Sequence, residues 1–178
     1  MQQTMHASHC MHGEDPQLRR SHFFNSYFLS KLTENSYNYP GVRRWTKKAK
    51  VDIFTLDKVI MPANVGNMHW CLAVIYVQER RIQYYDSMGG RGTTFLNALE
   101  RWLEDEHKDK KGAPLGATWT KVPTIDGTPQ QENGCDCGVF TCMFADYISE
   151  DLPLEFGQDH MQHFRRSLAL QLLQGKAL

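Results

Sequence analysis

The chain is 178 residues long, a length that suits one globular domain and allows a substantial core. Its 20 Lys and Arg residues balance 20 Asp and Glu residues, so no overall basic charge favours a nucleic acid or an anionic membrane as partner. No apolar run approaches the roughly 20 residues that span a bilayer, and the first residues lack a signal peptide's apolar core. We therefore expect an intracellular monomer, with no membrane span, whose five cysteines are reduced.

The first 20 residues are polar, rich in His and Met, and free of periodicity, so we expect a disordered tail followed by one domain over residues 21–178. Closely spaced ligands in such a tail are usually coincidental, and we predict neither a metal nor a cofactor. The potential ligands in the tail are His6, His9, Cys10 and His12.

Two short helices are predicted next. From Ser21 the segment SHFFNSYFLSKL places apolar residues at helical spacing, which predicts a helix with Ser21 as its N-cap. The segment VRRWTKKAK predicts a short basic helix or loop that carries Trp45.

Strands are predicted in the middle of the chain. DKVIMPAN predicts a short buried strand ending at Pro62, and the apolar run WCLAVIYV predicts a central strand covered on both faces. The alternating RIQYYD predicts its hairpin partner, which ends near Asp86 after a tight turn at residues 79–80. ATWTKVP predicts a further strand.

Three later segments have apolar residues at helical spacing. The first predicts a helix from Thr93 to Glu106, after which the charged run EDEHKDKKG is expected to form a solvated loop. CGVFTCMFADYI and QHFRRSLALQLL predict two more helices. Together these elements predict a compact α+β domain in which a small central sheet, mixed or antiparallel, is flanked by helices.

A candidate nucleophile lies in QQENGCDCGVF, where Asn133-Gly134 forms a turn and Asp136 is a good N-cap. Cys137 then falls in the first turn of a helix, where the positive end of the helix dipole favours the thiolate. Gly138 leaves room for a substrate backbone beside it. Cys135 is a rival nucleophile, but it precedes the helix. Small buried cysteines without a role are also common, so Cys137 alone does not establish catalysis.

A thiol nucleophile requires a base and usually a group that orients the base. His69 precedes the central strand and Asp86 ends the next one, so both lie at strand ends. A tight turn would place Asp86 opposite Ala73, on the same sheet face as His69 but roughly 13 Å away along the strand. Contact between them therefore requires a register shift, a bulge or strong twist. Gln131, across the Asn-Gly turn, is a candidate oxyanion donor, although a plain polar loop residue is the alternative.

Together these residues resemble the Ulp/SENP family of SUMO-specific cysteine proteases. The resemblance is carried, in the family's order, by FFNSYFLSKL, RRWTKK, HWCLAV, YYDSMGG and QQENGCDCGVFTC. Family domains begin with an earlier Trp-containing segment that residues 1–20 do not resemble, so we expect a domain shortened at its N-terminus.

The resemblance implies a papain-like α+β fold in which Cys137 attacks, His69 is the base, Asp86 orients it and Gln131 helps to form the oxyanion hole. It further implies that Trp70 helps to roof a tunnel for the Gly-Gly tail of SUMO. The other residues expected to contact the substrate are Tyr27, Phe28, Trp45, Met68 and Gly138.

The implied activity is hydrolysis after the C-terminal Gly-Gly of SUMO, in a precursor or in SUMO-conjugated proteins, and the implied location is the nucleus. Two alternatives remain open from the sequence. The same fold could act on another modifier such as Nedd8, or transfer acetyl groups as bacterial relatives do. The chain could also be a non-catalytic module that binds SUMO.

Overall fold

A mixed five-stranded sheet runs through the centre of the computed structural model, which describes residues 20–175. The strands lie in the order β1-β2-β3-β4-β5. Both inner pairs, β2 with β3 and β3 with β4, are antiparallel, whereas the outer pairs are parallel. The strands are β1 (Ser21–Phe23), β2 (Lys58–Val65), β3 (His69–Tyr76), β4 (Arg81–Tyr85) and β5 (Thr120–Val122).

Helices cover both faces of this sheet, which confirms the predicted α+β class. They are α1 (Tyr27–Leu32), α2 (Tyr39–Val42), α3 (Trp45–Ala49), α4 (Thr93–Lys111), α5 (Cys137–Ser149) and α6 (Met161–Gln174). Three short 3-10 turns lie at Glu34–Ser36, Ile53–Thr55 and Gln158–His160. Within residues 20–175, no helix combines the length and the apolar character that crossing a membrane requires.

Strand β3 connects the two halves of the core because its side chains alternate between the sheet faces. Cys71, Ala73 and Ile75 are fully buried against the layer formed by α1 and α4. The intervening Leu72 and Val74 are fully buried against α5 and α6. A continuous apolar run is therefore required here, as predicted for a central strand. This rigid strand also carries His69 at its first position.

The predicted helix beginning at Ser21 is wrong in its first half. Ser21–Phe23 forms β1, which pairs in parallel with β2, and the helix begins only at Tyr27. The helical spacing was misleading because Phe24 and Phe28 do reach the same cluster, with ring centroids 4.0 Å apart, although Phe24 precedes the helix.

Strand β2 also departs from its prediction, because it continues through Pro62 to Val65. Proline cannot donate a backbone hydrogen bond, so it is tolerated where one side of a strand is unpaired. Strand β1 pairs with β2 only as far as Ile60, so among residues 20–175 no strand lies on that side of Pro62.

The charged run after Glu106 is helical rather than a loop, and α4 extends to Lys111. Three lysines in its last turn complement the negative end of the helix dipole, and Gly112, in the left-handed conformation at φ 72°, ends the helix. Glu106 itself is buried and accepts hydrogen bonds from the hydroxyls of Tyr39 and Thr46. The predicted tail and its possible metal ligands lie outside the described residues, so the domain boundary at residue 21 stays a prediction.

Candidate active site

His69 and Asp86 are in direct contact at one end of the sheet. The Nε2 atom of His69 lies 2.7 Å from Oδ1 of Asp86. The His69 side chain is 18% exposed and that of Asp86 only 7%, so solvent competes little with this hydrogen bond. A carboxylate only accepts hydrogen bonds, so the neutral imidazole that fits this contact has its proton on Nε2 and a lone pair on Nδ1.

The strand register differs by two residues from the predicted one, and this difference removes the separation of roughly 13 Å that was expected between His69 and Asp86. The observed pairing runs from Tyr76 opposite Arg81 to Leu72 opposite Tyr85, so Asp86 follows opposite Cys71 rather than Ala73. The predicted tight turn is wrong, since residues 77–80 form a longer loop. A shift of two residues keeps Asp86 on the same face and brings it beside His69.

The loop after β4 holds the Asp86 carboxylate on two further sides. Its Oδ1 atom accepts a hydrogen bond of 2.7 Å from the backbone N–H of Met88. On the other side, Gly90 approaches so closely that a Cβ atom there would overlap Oδ2 and lie 3.3 Å from Cγ. Glycine at position 90 is therefore a steric requirement of this carboxylate position.

Cys137 is the first residue of α5, and it is buried, with 7% of its surface exposed. Asp136 occupies the N-cap position, as predicted, but its side chain does not cap the helix. The amides of Val139 and Phe140 donate to the carbonyl oxygen of Asp136, so what Cys137 gains from its position is the positive end of the helix dipole, which favours a negative charge there.

The side chain of Asp136 instead joins the loop before α5 to α6. It accepts hydrogen bonds from Asn133, Gln158 and Arg165, and these bonds, that from Asn133 foremost, lower the pKa of its carboxyl. The Arg165 guanidinium also donates to the carbonyl oxygen of Cys135. Its positive charge offsets a carboxylate that would otherwise disfavour a thiolate at the next residue.

Two other cysteines lie close to the site. Cys135 is exposed in the turn before α5, where its amide and its thiol both donate to Oδ1 of Asn133. Cys71 is fully buried on β3. Burial raises the pKa of the Cys71 thiol, and the charges of Asp86 and Cys137 raise it further. Cys71 is thus a neutral thiol within electrostatic range of Cys137.

Gln131 is fixed by the residue that follows Asp86. Its Oε1 atom accepts a 2.6 Å hydrogen bond from the hydroxyl of the buried Ser87. Its backbone N–H donates a hydrogen bond of 2.8 Å to the carbonyl oxygen of Ser87. One hydrogen of its side-chain amide is used by the carbonyl of Asn133. The amide has a second N–H, so Gln131 retains a donor.

The residues expected to contact a substrate differ in exposure. Tyr27 and Met68 are 68% and 86% exposed, and Trp45 is half-buried. The expectation for Phe28 is wrong, because it is fully buried between the rings of Phe24, Trp45 and Trp102.

Trp70 lies beside the start of α5. A Cβ atom built on Gly138 would be 3.8 Å from Cδ1 of Trp70, so the indole edge borders the backbone next to Cys137. This contact joins the strand that carries His69 to the helix that carries the thiol.

Ser87, Gly90 and Arg165 belong to the site although no role was predicted for them from the sequence. The roles of Ser87 and Arg165 depend on packing between segments distant in sequence, as in the 44-residue separation of Ser87 and Gln131. For Gly90 the sequence did contain a local indication, namely the glycine pair after YYDSM, because glycine is common where the backbone approaches another group closely.

Comparison with known proteins agrees with this geometry. Residues 1–175 match the model of the Ulp1 protease family, C-terminal catalytic domain. Ubiquitin-like-specific protease 1A of Arabidopsis thaliana is 38% identical over 168 residues, covering 92% of this chain and 33% of the relative. Sentrin-specific protease 2 of Homo sapiens is 38% identical over 162 residues, covering 88% and 26% respectively. The chain thus spans about a third or less of these two relatives.

A solved structure shares the architecture as well. The C-terminal Ulp1 protease domain in complex with Smt3, the yeast ortholog of SUMO, superposes with a TM-score of 0.81 at 30% identity. The match covers 97% of this chain and 73% of that domain. Together, the sheet flanked by helices, the contact of His69 with Asp86 and these similarities show that the chain belongs to the Ulp1 protease family.

Proposed function

We propose that the chain is a SUMO-specific thiol protease that hydrolyses the bond after the C-terminal Gly-Gly of SUMO, in a precursor or in SUMO-conjugated proteins. The observation that carries the proposal is the 2.7 Å hydrogen bond between His69 and Asp86 in a chain whose relatives include the Ulp1 domain bound to Smt3. A nuclear location is part of the same proposal.

His69 acts as the base in this mechanism. Asp86 holds the proton on Nε2, so Nδ1 is free to accept the proton of the Cys137 thiol. The resulting imidazolium is stabilised by the buried carboxylate of Asp86, and it later returns the proton to the leaving amine. Asp86 is thus an orienting group for the base.

Cys137 supplies the nucleophile. Its thiolate attacks the carbonyl carbon of the terminal glycine, forms a thioester when the amine leaves, and is released when water hydrolyses that thioester. The helix N-terminus and the charge of Arg165, paired with Asp136, both favour the anionic sulfur.

Gln131 is proposed to stabilise the oxyanion together with the backbone N–H of Cys137. The Ser87 hydroxyl holds the side-chain oxygen of Gln131, which turns the nitrogen end of the amide away from Ser87. A preorganised donor of this kind stabilises a transition state by about 3–4 kcal/mol.

Trp70 and Gly138 are proposed to border the path of the Gly-Gly tail. The indole lies so close to position 138 that little space separates it from the backbone beside the thiol. Glycine residues have no side chain, so a Gly-Gly tail suits such a narrow passage. The exposed Tyr27 and Met68, with the half-buried Trp45, are the proposed contacts to the body of SUMO.

A SUMO probe with an electrophilic C-terminus tests the nucleophile. We expect it to label the wild type and Cys135→Ala at equal rates and to leave Cys137→Ala unlabelled. Labelling of Cys137→Ala at the wild-type rate would refute the assignment. The Cys135 variant is a matched control because it removes a more exposed thiol two residues away.

A second comparison tests the substrate. Fluorogenic SUMO and Nedd8 substrates should be hydrolysed at very different rates, with SUMO preferred. Faster hydrolysis of Nedd8 would identify another modifier, and SUMO binding without hydrolysis would identify a binding module.

A further inference from the structure

Cys71 is a thiol at the candidate active site that the proposed mechanism does not use. It lies two residues from His69 on β3, so both side chains project from the same face of the sheet. The strand register brings Asp86 opposite Cys71 on that face. An imidazole, a thiol and a carboxylate are therefore grouped at one point.

The potential ligand atoms of these three residues all lie within 4.8 Å of one another. Nitrogen, sulfur and carboxylate oxygen are the ligands of Zn²⁺ in proteins, at about 2.0–2.3 Å from the ion. Ligands in a tetrahedral site are then separated by about 3.3–3.8 Å, so shifts of about 1 Å suffice to enclose an ion. His69 and Cys71 lie on β3 and Asp86 directly follows β4, and both strands are largely buried, which favours a defined geometry.

We propose that His69, Cys71 and Asp86 form an inhibitory site for a thiophilic divalent cation, with Zn²⁺ as the expected ion. The cation binds the Nε2 atom that now faces Asp86, the Cys71 sulfur and an Asp86 oxygen. The fourth position is taken by water.

The protons balance as follows. Cys71 loses its S–H proton to solvent when the sulfur binds the ion. The proton on Nε2 of His69 moves to Nδ1, because the ion takes the Nε2 lone pair. The bound state therefore lacks the free Nδ1 lone pair that removes the proton from Cys137, and the base is blocked.

Metal binding is tested first, because it does not depend on the proposed function. The probe is Co²⁺, a spectroscopic substitute for Zn²⁺ whose bond to a thiolate gives an ultraviolet charge-transfer band. The 178-residue chain is titrated as the wild type and as four single alanine variants, at Cys10, Cys71, Cys135 and Cys137. Zn²⁺ competition then gives the affinity for Zn²⁺ itself.

We expect the Cys71 variant alone to lose the thiolate band. Loss of an outer-shell partner already weakens metal binding by about 10- to 100-fold, so loss of a ligand should weaken Zn²⁺ binding by about 100-fold or more. Cys71→Ser, which is nearly isosteric, gives a second measurement if the alanine variant unfolds.

A Cys71 variant that retains the band at wild-type affinity would overturn the proposal. Loss of the thiolate band in Cys137→Ala would also overturn the proposal, because that result would place the ion on the nucleophile instead. Loss in the Cys10 variant would place it in the N-terminal tail.

Inhibition is tested second, and this arm rests on the proposed function. Zn²⁺ should inhibit hydrolysis of the SUMO substrate by the wild type, and Cys71→Ser should raise the inhibitory concentration about tenfold or more. Equal inhibition of both proteins would overturn the inhibitory role. Absence of any hydrolysis would contradict the proposed function while leaving the Co²⁺ result intact.

Discussion

Gly90 is expected to determine where the Asp86 carboxylate lies, and Gly90→Ala tests this. The φ angle of Gly90 lies outside the left-handed region, so its backbone conformation suits alanine. The added methyl group would overlap Oδ2 of Asp86 and lie 3.3 Å from Cγ. The perturbation therefore acts on one carboxylate rather than on the fold.

The size of the effect follows from this overlap. Non-bonded carbon atoms are at optimal separation about 3.5–4.0 Å apart, so Asp86 or the loop has to move by about 1 Å. A displacement of about 1 Å at a catalytic group costs about 100-fold in rate. We expect kcat to fall by about that factor and KM to change little, because Asp86 is buried away from the substrate.

Steady-state hydrolysis of a fluorogenic SUMO substrate measures this prediction. Gly134→Ala is the matched control, since a Cβ atom there would meet no atom within 4 Å. The decisive comparison introduces Gly90→Ala into the Asp86→Ala variant. The Asp86→Ala substitution has already removed the carboxylate with which the new methyl group would clash. The second substitution should then cost little further activity.

Two results would refute this reasoning. One is a Gly90→Ala enzyme with the kcat of the wild type. The other is an equal loss of activity whether or not Asp86 is present, which would place the clash elsewhere. Thermal unfolding of each variant distinguishes a displaced carboxylate from a damaged fold.

Four further predictions concern groups that support the site or the helix that carries the thiol. Ser87→Ala should lower kcat about tenfold with KM unchanged, and Ser87→Thr should restore it, because the hydroxyl orients Gln131; an unchanged kcat would contradict this. Arg165→Gln should slow probe labelling at neutral pH and lower stability. The pKa of Asp136 is lowered in the folded state, so its contribution to stability is present above about pH 4 and is lost as the pH falls through the folded pKa. Acid unfolding of Asp136→Asn, compared with the wild type, measures this contribution. Lys58→Met should reduce the free energy of unfolding by about 1–3 kcal/mol, measured in urea, since the buried ammonium satisfies the carbonyl near the end of α5.

Periodicity in the sequence predicted the long elements because each has a large apolar face. Helices α5 and α6 and strand β3 were predicted in place, and α5 begins at the predicted Cys137. Helix α5 and strand β3 are largely buried in the core, where burying one large apolar side chain contributes about 1.5–3 kcal/mol, whereas α6 has Met161 as its one buried residue.

The remaining features depend on tertiary contacts that local periodicity does not encode. The register of β3 with β4 is set by a loop of residues 77–80, in which Arg80 has φ 50°, a conformation that no turn motif in the sequence indicated. Strand β1 is three residues long and is defined only by pairing with β2. The proposed role of Cys71 depends on the same register, because only the observed pairing places it opposite Asp86.

The borders of the sheet have a consequence for how the protein behaves at high concentration. Both outermost strands, β1 and β5, are only three residues long, so each presents few unpaired backbone groups to another molecule. Strand β5 also carries the charged Lys121. Edge-to-edge stacking of sheets from separate molecules is therefore disfavoured, and the protein should remain dispersed at concentrations where a longer, apolar border would nucleate fibrils.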